Sequence, residues 1–356
     1  MIYLQTFDFM LNKENDITIL AIESSCDETA AAVCHNGVIL SNVITSQTVH
    51  ESYGGVVPEL ASRAHLQQIV PVVNEALLKA FGNHENAFST STYITMVDAI
   101  AFTQSPGLIG SLLVGAQFAK SLALAWGKPL LGVHHMQAHV LANLLQNPAP
   151  AFPFLCLTVS GGHTQIVKAT NPMHVEIIGE TIDDAAGEAF DKTAKMLGLP
   201  YPGGPLIDQY AALGNPNAYS FAEPQVPGLN YSFSGLKTSV LYFLQAQQDP
   251  EFILQNRNDL CASVQHTIIK VLLKQLSKAV KQTGIKNICI AGGVSANTGL
   301  RNAFEAWGKK QRCQTYIPPF AFCTDNAAMI AITAYHQFKA GHFASMDTTA
   351  QARSSW

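Results

Sequence analysis

Short apolar runs separated by small polar turns open both halves of the chain. Residues 17–22 are apolar and rich in β-branched side chains, which predicts a strand. The polar turn Glu23-Ser24-Ser25-Cys26-Asp27-Glu28-Thr29 follows, then apolar residues 30–34, the turn His35-Asn36-Gly37, and a third apolar run over 38–43. This pattern predicts a strand leading into a hairpin. Residues 59–80 switch to a helical period, with Leu60, Ile69, Val70, Val73, Leu77 and Leu78 apolar; Pro71 is expected to bend or divide that helix. Residues 99–103 predict a strand, and Gln104-Ser105-Pro106-Gly107 turns it into a helix of small apolar residues over 108–126. Past Gly127-Lys128-Pro129 come a short strand and a helix carrying His135 and His139.

The proline-rich stretch 147–153 is the best candidate for a domain boundary. After it the opening plan recurs, offset by about 130 residues: strand 154–159, the turn Ser160-Gly161-Gly162-His163-Thr164, strand 165–169 and a third strand near 176–179. Strand 287–291, Gly292-Gly293 and helix 297–307 repeat the earlier strand–turn–helix unit. Between them, 183–199, 230–244 and 260–280 have helical patterns, and Tyr201-Pro202-Gly203-Gly204-Pro205 suggests a rigid turn. The expected organisation is an extension at 1–16, a first lobe at 17–150, a second lobe at 151–345 with a helical insertion around 183–280, and a tail at 346–356. The extension carries a second methionine, Met10, where translation could start. This is a two-lobed α/β protein with a cleft between the lobes.

Composition narrows the function classes. Of 356 residues, 48% are hydrophobic and 13% charged, enough to bury two cores beneath a sparsely charged surface. No uncharged apolar run reaches the roughly 18 residues of a membrane span, and the start lacks the basic segment and cleavage site of a secretory signal. The seven cysteines form no CxxC pair and are odd in number, so reduced thiols in a cytoplasmic protein are expected, with no membrane partner. A net charge of −4 offers no general attraction for nucleic acid, so any such binding needs a local patch or a partner. Lys270, Lys274 and Lys278 form a basic stripe at helical spacing; a solvated face is the plain reading and an RNA-facing patch the sharper one.

Chemistry concentrates at two kinds of place. His135 and His139 stand four apart on one helix face, a spacing at which two imidazoles share a metal ion. Met136 occupies the position where a zinc peptidase of the HExxH type carries its general base. A third ligand is expected from a carboxylate near a turn, and Asp325, just before an apolar helix, is the candidate, although an Asp there also suits a simple N-cap. Two His and one Asp leave open coordination positions and suit iron or zinc. The glycine turns at Ser160-Gly161-Gly162 and Gly292-Gly293, each straight after a strand, allow close approach of backbone N–H groups to phosphate. Neither GxxxxGK[ST] nor GxGxxG occurs.

Taken together, KSLALAWGKPLLGVHHMQAHV, ESSCDET, VSGGHTQ, DDAAGEAFDK, YPGGP, SFSGLK, GGVSAN and CTDNAAMIA give the chain a close resemblance to one family, spread over about residues 17–340. It resembles the bacterial tRNA N6-adenosine threonylcarbamoyltransferases, formerly described as O-sialoglycoprotein endopeptidases. The resemblance implies an actin/sugar-kinase-like (ASKHA) fold, a duplicated RNase H-like architecture. It implies transfer of threonylcarbamoyl from threonylcarbamoyl-AMP to N6 of the adenine beside the anticodon, at position 37 of tRNAs reading codons that begin with adenine, with release of AMP. Carried over by motif, the metal ligands fall on His135, His139 and Asp325, and the adenylate-binding residues on Thr158, Val159, Ser160, Gly161, Gly162, Asp191, Gly204, Asp208 and Asn297. The implied cofactor is one divalent metal per chain, Fe2+ first and Zn2+ second. The implied partners are tRNA, a dimerising paralogue and a small ATPase. Departures from the family pattern are confined to the N-terminal extension and to residues 143–147. Asp27 and Glu28 qualify as proton acceptors by position alone, so no catalytic base is assigned. A metallopeptidase, an ASKHA small-molecule kinase and an inactive scaffold are the competing classes.

Overall fold

The computed structural model describes residues 16–82 and 90–354, so residues 1–15 of the expected extension lie outside the described residues. The first half begins with an antiparallel meander, β1 (Thr18–Glu23), β2 (Glu28–His35) and β3 (Val38–Ser46). It continues through α1 (Pro58–Phe81), α2 (Thr90–Met96), β4 (Ala99–Ser105), α3 (Ile109–Trp126), β5 (Leu130–His134) and α4 (His135–Leu141). The second half repeats the meander as β6 (Phe154–Val159), β7 (Thr164–Asn171) and β8 (His174–Glu180). Then come α5 (Ala186–Met196), α6 (Gly203–Ala211), α7 (Ser234–Gln245), α8 (Phe252–Gln255), α9 (Arg257–Thr283), β9 (Asn287–Ala291), α10 (Thr298–Gln311), β10 (Gln314–Tyr316) and α11 (Ala327–Lys339).

The sheets have one plan. Their orders are β3-β2-β1-β4-β5 and β8-β7-β6-β9-β10, each a meander extended by two parallel strands. The central strands β1 and β6 are buried on both faces, which explains why they read as continuous apolar runs rather than alternating ones. The last helix of the second half packs on the first sheet, and that of the first half lies against both sheets. Ala328, Met329 and Ile330 of α11 join Ile19, Ala21, Leu131 and Val133 in a core on the first sheet, although α11 follows the second sheet in sequence. Val140 of α4 packs with Phe154, Cys156 and Cys289 of the second sheet. The two helices touch each other between the sheets, so their N-terminal ends meet near the centre of the molecule.

Several local expectations need correction. Pro71 does not divide α1, which runs unbroken for 24 residues. It lies on the exposed side, where the carbonyl left without its N–H partner can face water. Tyr201-Pro202-Gly203-Gly204-Pro205 is not only a turn: Pro202 is the N-cap of α6 and Gly203 its first residue. The 183–199 segment becomes helical only at Ala186, because Asp183 is engaged elsewhere, accepting from the N–H of Phe233 at 2.8 Å. Of the basic stripe, Lys270 and Lys274 pair with Glu223, at 2.6 and 3.6 Å. All seven cysteines are free thiols, five of them buried.

Among the described residues α3 alone is long and apolar enough to cross a membrane; it carries Lys120 and packs on β4 and α1. Beyond α11 the chain returns to the first sheet, with Ala344 N–H bonded to the Leu130 carbonyl of β5 and Gln351 N–H to the Gln104 carbonyl of β4, at 2.8 and 2.9 Å.

Candidate active site

The two halves contribute to the candidate metal centre from equivalent places, the start of the last helix of each. His134 is the N-cap of α4, its Nδ1 accepting from the N–H of Gln137 at 3.4 Å. Burial depresses the His134 pKa to about 4, which keeps the ring neutral and able to accept. The cap of α11 is Asn326, whose Oδ1 accepts from Met329 N–H at 3.0 Å. The capping role that suits Asp325 by sequence is therefore filled by its neighbour, and the Asp325 carboxylate turns inward. Its Oδ1 lies 3.1 Å from His139 Nε2 and 3.4 Å from His135 Nε2. The two imidazoles stand edge to face with centroids 4.7 Å apart. One ligand atom from each of the three residues lies within 4.8 Å of the others, a donor set of two imidazole nitrogens and one carboxylate oxygen.

The charges there are balanced by position rather than by solvent. Burial works against the charged form of His135, but Asp325 and Glu23 outweigh it and raise its pKa well above the usual histidine range. Partial burial works against the charged form of Asp325, yet His135 and His139 hold it far below the usual carboxylate range. Glu23, at the end of β1, is fully buried and accepts from His135 Nδ1 at 3.1 Å. Glu28, at the start of β2, has its carboxyl raised to about 9, first by burial and then by Asp325 and Asp27. Among the described residues, His139 Nδ1 is buried without a hydrogen-bond partner.

The residues expected to hold the adenylate group around the ends of β6 and β9, which pair in parallel with Thr158 opposite Ala291. The glycine turns after the two strands are therefore neighbours. Thr158 and Val159 have buried side chains and offer only backbone to a ligand. Ser160 closes the loop: its N–H donates to the His163 carbonyl at 2.8 Å and its Oγ accepts from His163 N–H at 3.1 Å. Gly161 and Gly162 are exposed, and a Cβ on Gly162 would meet no protein atom within 4 Å. His163 is depressed by burial and then by His135 and His139, so the glycine loop lies within electrostatic reach of those two imidazoles.

The remaining adenylate candidates lie at helix ends. Asp191 Oδ1 accepts from the N–H groups of Gly203 and Gly204 at 2.9 and 3.1 Å, closing the N-terminus of α6. Asp208 does the same for α10, accepting from Thr298 and Gly299 at 2.7 and 3.1 Å. Asn297 caps α10 through Leu300 N–H at 2.8 Å while its Nδ2 donates to Gln265 at 2.7 Å. These carboxylates thus work first on helix termini, and ribose hydroxyls can use only their remaining lone pairs.

Two contributors were not singled out from sequence. Glu23 lies inside ESSCDET, and its signal was a charged residue closing a fully buried strand. Gly187 lies inside DDAAGEAFDK: its N–H donates to the Ser160 carbonyl at 3.2 Å, and a Cβ there would stand 2.5 Å from that oxygen. Only a residue without a side chain lets α5 support the glycine loop so closely.

Comparison with known proteins gives two kinds of likeness. Residues 38–332 match the family described as tRNA N6-adenosine threonylcarbamoyltransferase. Proteins of that name from Christiangramia forsetii and Porphyromonas gingivalis are 56% and 55% identical to this chain, each over 96% of it and over 98% and 99% of their own lengths. Among solved structures, HypF from T. kodakarensis superposes with a TM-score of 0.61 at 12% identity, covering 92% of this chain and 48% of that one. Full-length HypF in a phosphate- and nucleotide-bound form gives 0.58 at 13% identity, covering 91% of this chain and 46% of that one. The chain thus spans about half the length of those structures, and what it shares with them is the ASKHA-type fold.

Proposed function

The chain belongs to the tRNA N6-adenosine threonylcarbamoyltransferase family, and from that membership we infer that it is an acyltransferase forming N6-threonylcarbamoyladenosine in tRNA. It moves the threonylcarbamoyl group from threonylcarbamoyl-AMP to N6 of the adenine at position 37, in tRNAs that read codons beginning with adenine. The match along residues 38–332 is the observation that carries this reading. The metallopeptidase and small-molecule kinase alternatives are not favoured.

In the reaction the N6 amine attacks the carbamoyl carbon of the mixed anhydride. A new N–C bond forms, the C–O bond to phosphate breaks, AMP departs, and the amine loses one proton. An aromatic amine is a weak nucleophile and an acyl phosphate a reactive donor, so the protein has mainly to align them and stabilise developing charge. The N–H groups of Gly161 and Gly162 are proposed to hold the AMP phosphate, with Thr158, Val159 and Ser160 shaping the floor, since the Ser160 N–H already donates to the His163 carbonyl. Asp191, Gly204, Asp208 and Asn297 are proposed to border the nucleoside.

The residues present fit a divalent metal, since a buried pair of imidazoles faces a carboxylate whose capping duty has passed to Asn326. His135, His139 and Asp325 would hold one such ion per chain, Fe2+ or Zn2+, which supplies Lewis acidity and a fixed positive charge toward the donor.

We further propose cytoplasmic location, a dimerising paralogue and a small ATPase as partners, and the division into lobes at 17–150 and 151–345. The α5–α9 segment would be the helical insertion, and α11 would be counted by packing with the first lobe. Incubating the chain with tRNA, ATP, bicarbonate, threonine and the partner proteins, then digesting the tRNA to nucleosides, tests the activity. Absence of N6-threonylcarbamoyladenosine with all components present would overturn it.

A further inference from the structure

We propose that Glu23 is a positioning residue for the metal centre, locking the His135 ring with Nε2 toward Asp325 and His139 and supplying the site's second negative charge. This rests on the reading of His135, His139 and Asp325 as a metal site.

The geometry begins with burial. Glu23 has no exposed surface, so its carboxylate must be fully satisfied by protein groups. Ser25 N–H donates to Oε1 at 2.5 Å, Thr103 Oγ1 donates to Oε2 at 2.6 Å, and His135 Nδ1 lies 3.1 Å from Oε2. An ionised carboxylate only accepts, so the proton shared with His135 sits on Nδ1. Ser25 Oγ, 3.2 Å from the same nitrogen, adds a second restraint on the ring. Nε2 is then directed to the side where Asp325 Oδ1 and His139 Nε2 converge. A carboxylate behind a ligating imidazole fixes tautomer and orientation and raises ligand basicity.

The charge count points the same way. The Glu23 and Asp325 carboxylates stand at opposite nitrogens of the His135 ring, 3.1 Å from Nδ1 and 3.4 Å from Nε2. A divalent cation held at Nε2 would match those two carboxylates in charge. His139 has no matching support, because its Nδ1 is without a partner among the described residues. Control of ligand orientation is therefore concentrated on His135, and through it on Glu23 and Thr103.

The test uses full-length chain stripped with chelator, titrated with Co2+ and with Zn2+ against a chromophoric chelator at one pH. Glu23→Gln keeps an acceptor for Nδ1–H but removes the charge; Glu23→Leu removes both; Thr103→Val loosens the carboxylate without touching His135. The expected result is a 10–100-fold weaker Kd for Glu23→Gln. Glu23→Leu should lose more and Thr103→Val less, with shifted Co2+ ligand-field bands in each. A merely structural role would lower the unfolding temperature in chelator while leaving Kd and bands unchanged, and that outcome overturns the proposal. Should Glu23→Leu fail to fold, Glu23→Gln and Thr103→Val decide the matter. If the wild-type chain itself binds neither metal, the site falls and Glu23's role with it. Wild-type binding with unaltered variants removes Glu23's role alone.

Discussion

At the scale of single residues, the site depends on groups whose surroundings make them replaceable one at a time. His139→Ala removes one of three converging donors at a buried position, so bound metal should drop below stoichiometric while the fold persists. Elemental analysis of protein purified without chelator checks this, and a retained full equivalent would dismantle the three-ligand site. Gly162→Val tests the phosphate cradle. A side chain there meets no protein atom within 4 Å, so it should leave stability and metal content unchanged while weakening threonylcarbamoyl-AMP binding by an order of magnitude or more. Wild-type affinity in the variant would mean that the nucleotide binds elsewhere.

Glu28 provides a pH signature at the same scale. Its carboxyl is raised to about 9 in the folded chain by burial, Asp325 and Asp27, against about 4.3 when unfolded. The folded state therefore holds a proton that the unfolded state releases. The stabilisation is complete below the unfolded value and is lost as pH climbs toward 9. Metal-free protein should lose stability between pH 5 and 9, with a contribution of up to about 1.4 kcal/mol per pH unit from this one group. Glu28→Gln should flatten the profile by that share. Denaturant midpoints at several pH values measure it, and parallel profiles for the two proteins would rule Glu28 out as the source.

At the scale of elements, helix ends are joined side chain to backbone in a series, α5 to α6 through Asp191 and α6 to α10 through Asp208. Asp208→Ala leaves the Thr298 and Gly299 N–H groups without their acceptor. That should destabilise the ligand-free protein by about 1–2 kcal/mol, Asn297 still serving Leu300. Thermal unfolding without nucleotide gives the answer. An unchanged midpoint would assign Asp208 to the ligand alone. The exposed residues of α1 show another element-level effect: Val70 and Leu78 belong to its apolar pattern, yet they are 50% and 41% exposed. Period and apolarity predict a helix, but they do not say which flank of a wide apolar stripe meets the sheet.

At the scale of the whole molecule, a net charge of −4 sets the expectation for tRNA. Lys270 and Lys274 are already paired with Glu223, so the basic stripe offers less free charge than its spacing suggests. The isolated chain should bind tRNA no tighter than about the micromolar range at physiological salt, and more weakly as salt rises. Partner proteins should supply the remainder. Filter binding across a salt series checks this; tight, salt-insensitive binding by the chain alone would contradict it.

The duplicated plan was legible without coordinates because each half encodes it locally: apolar strands, turn residues at their ends, and glycine where strand passes to helix. The residue types of the candidate site were legible too, since His135 and His139 share one helical face by spacing alone. Asp325 could be nominated but not distinguished from a cap, because Asn326 beside it is an equally good cap and only the folded backbone shows which of the two turns inward. Glu23 was hidden for a different reason, its partner His135 being 112 residues away. The packing of α11 on the first sheet and of α4 between the two likewise leaves no local trace, since an apolar helix face suits either sheet. Local periodicity and turn chemistry therefore determined the elements and the donor types. Long-range packing decided which donors converge and which charges face one another, because burial and electrostatic balance are properties of distances that only the folded chain possesses.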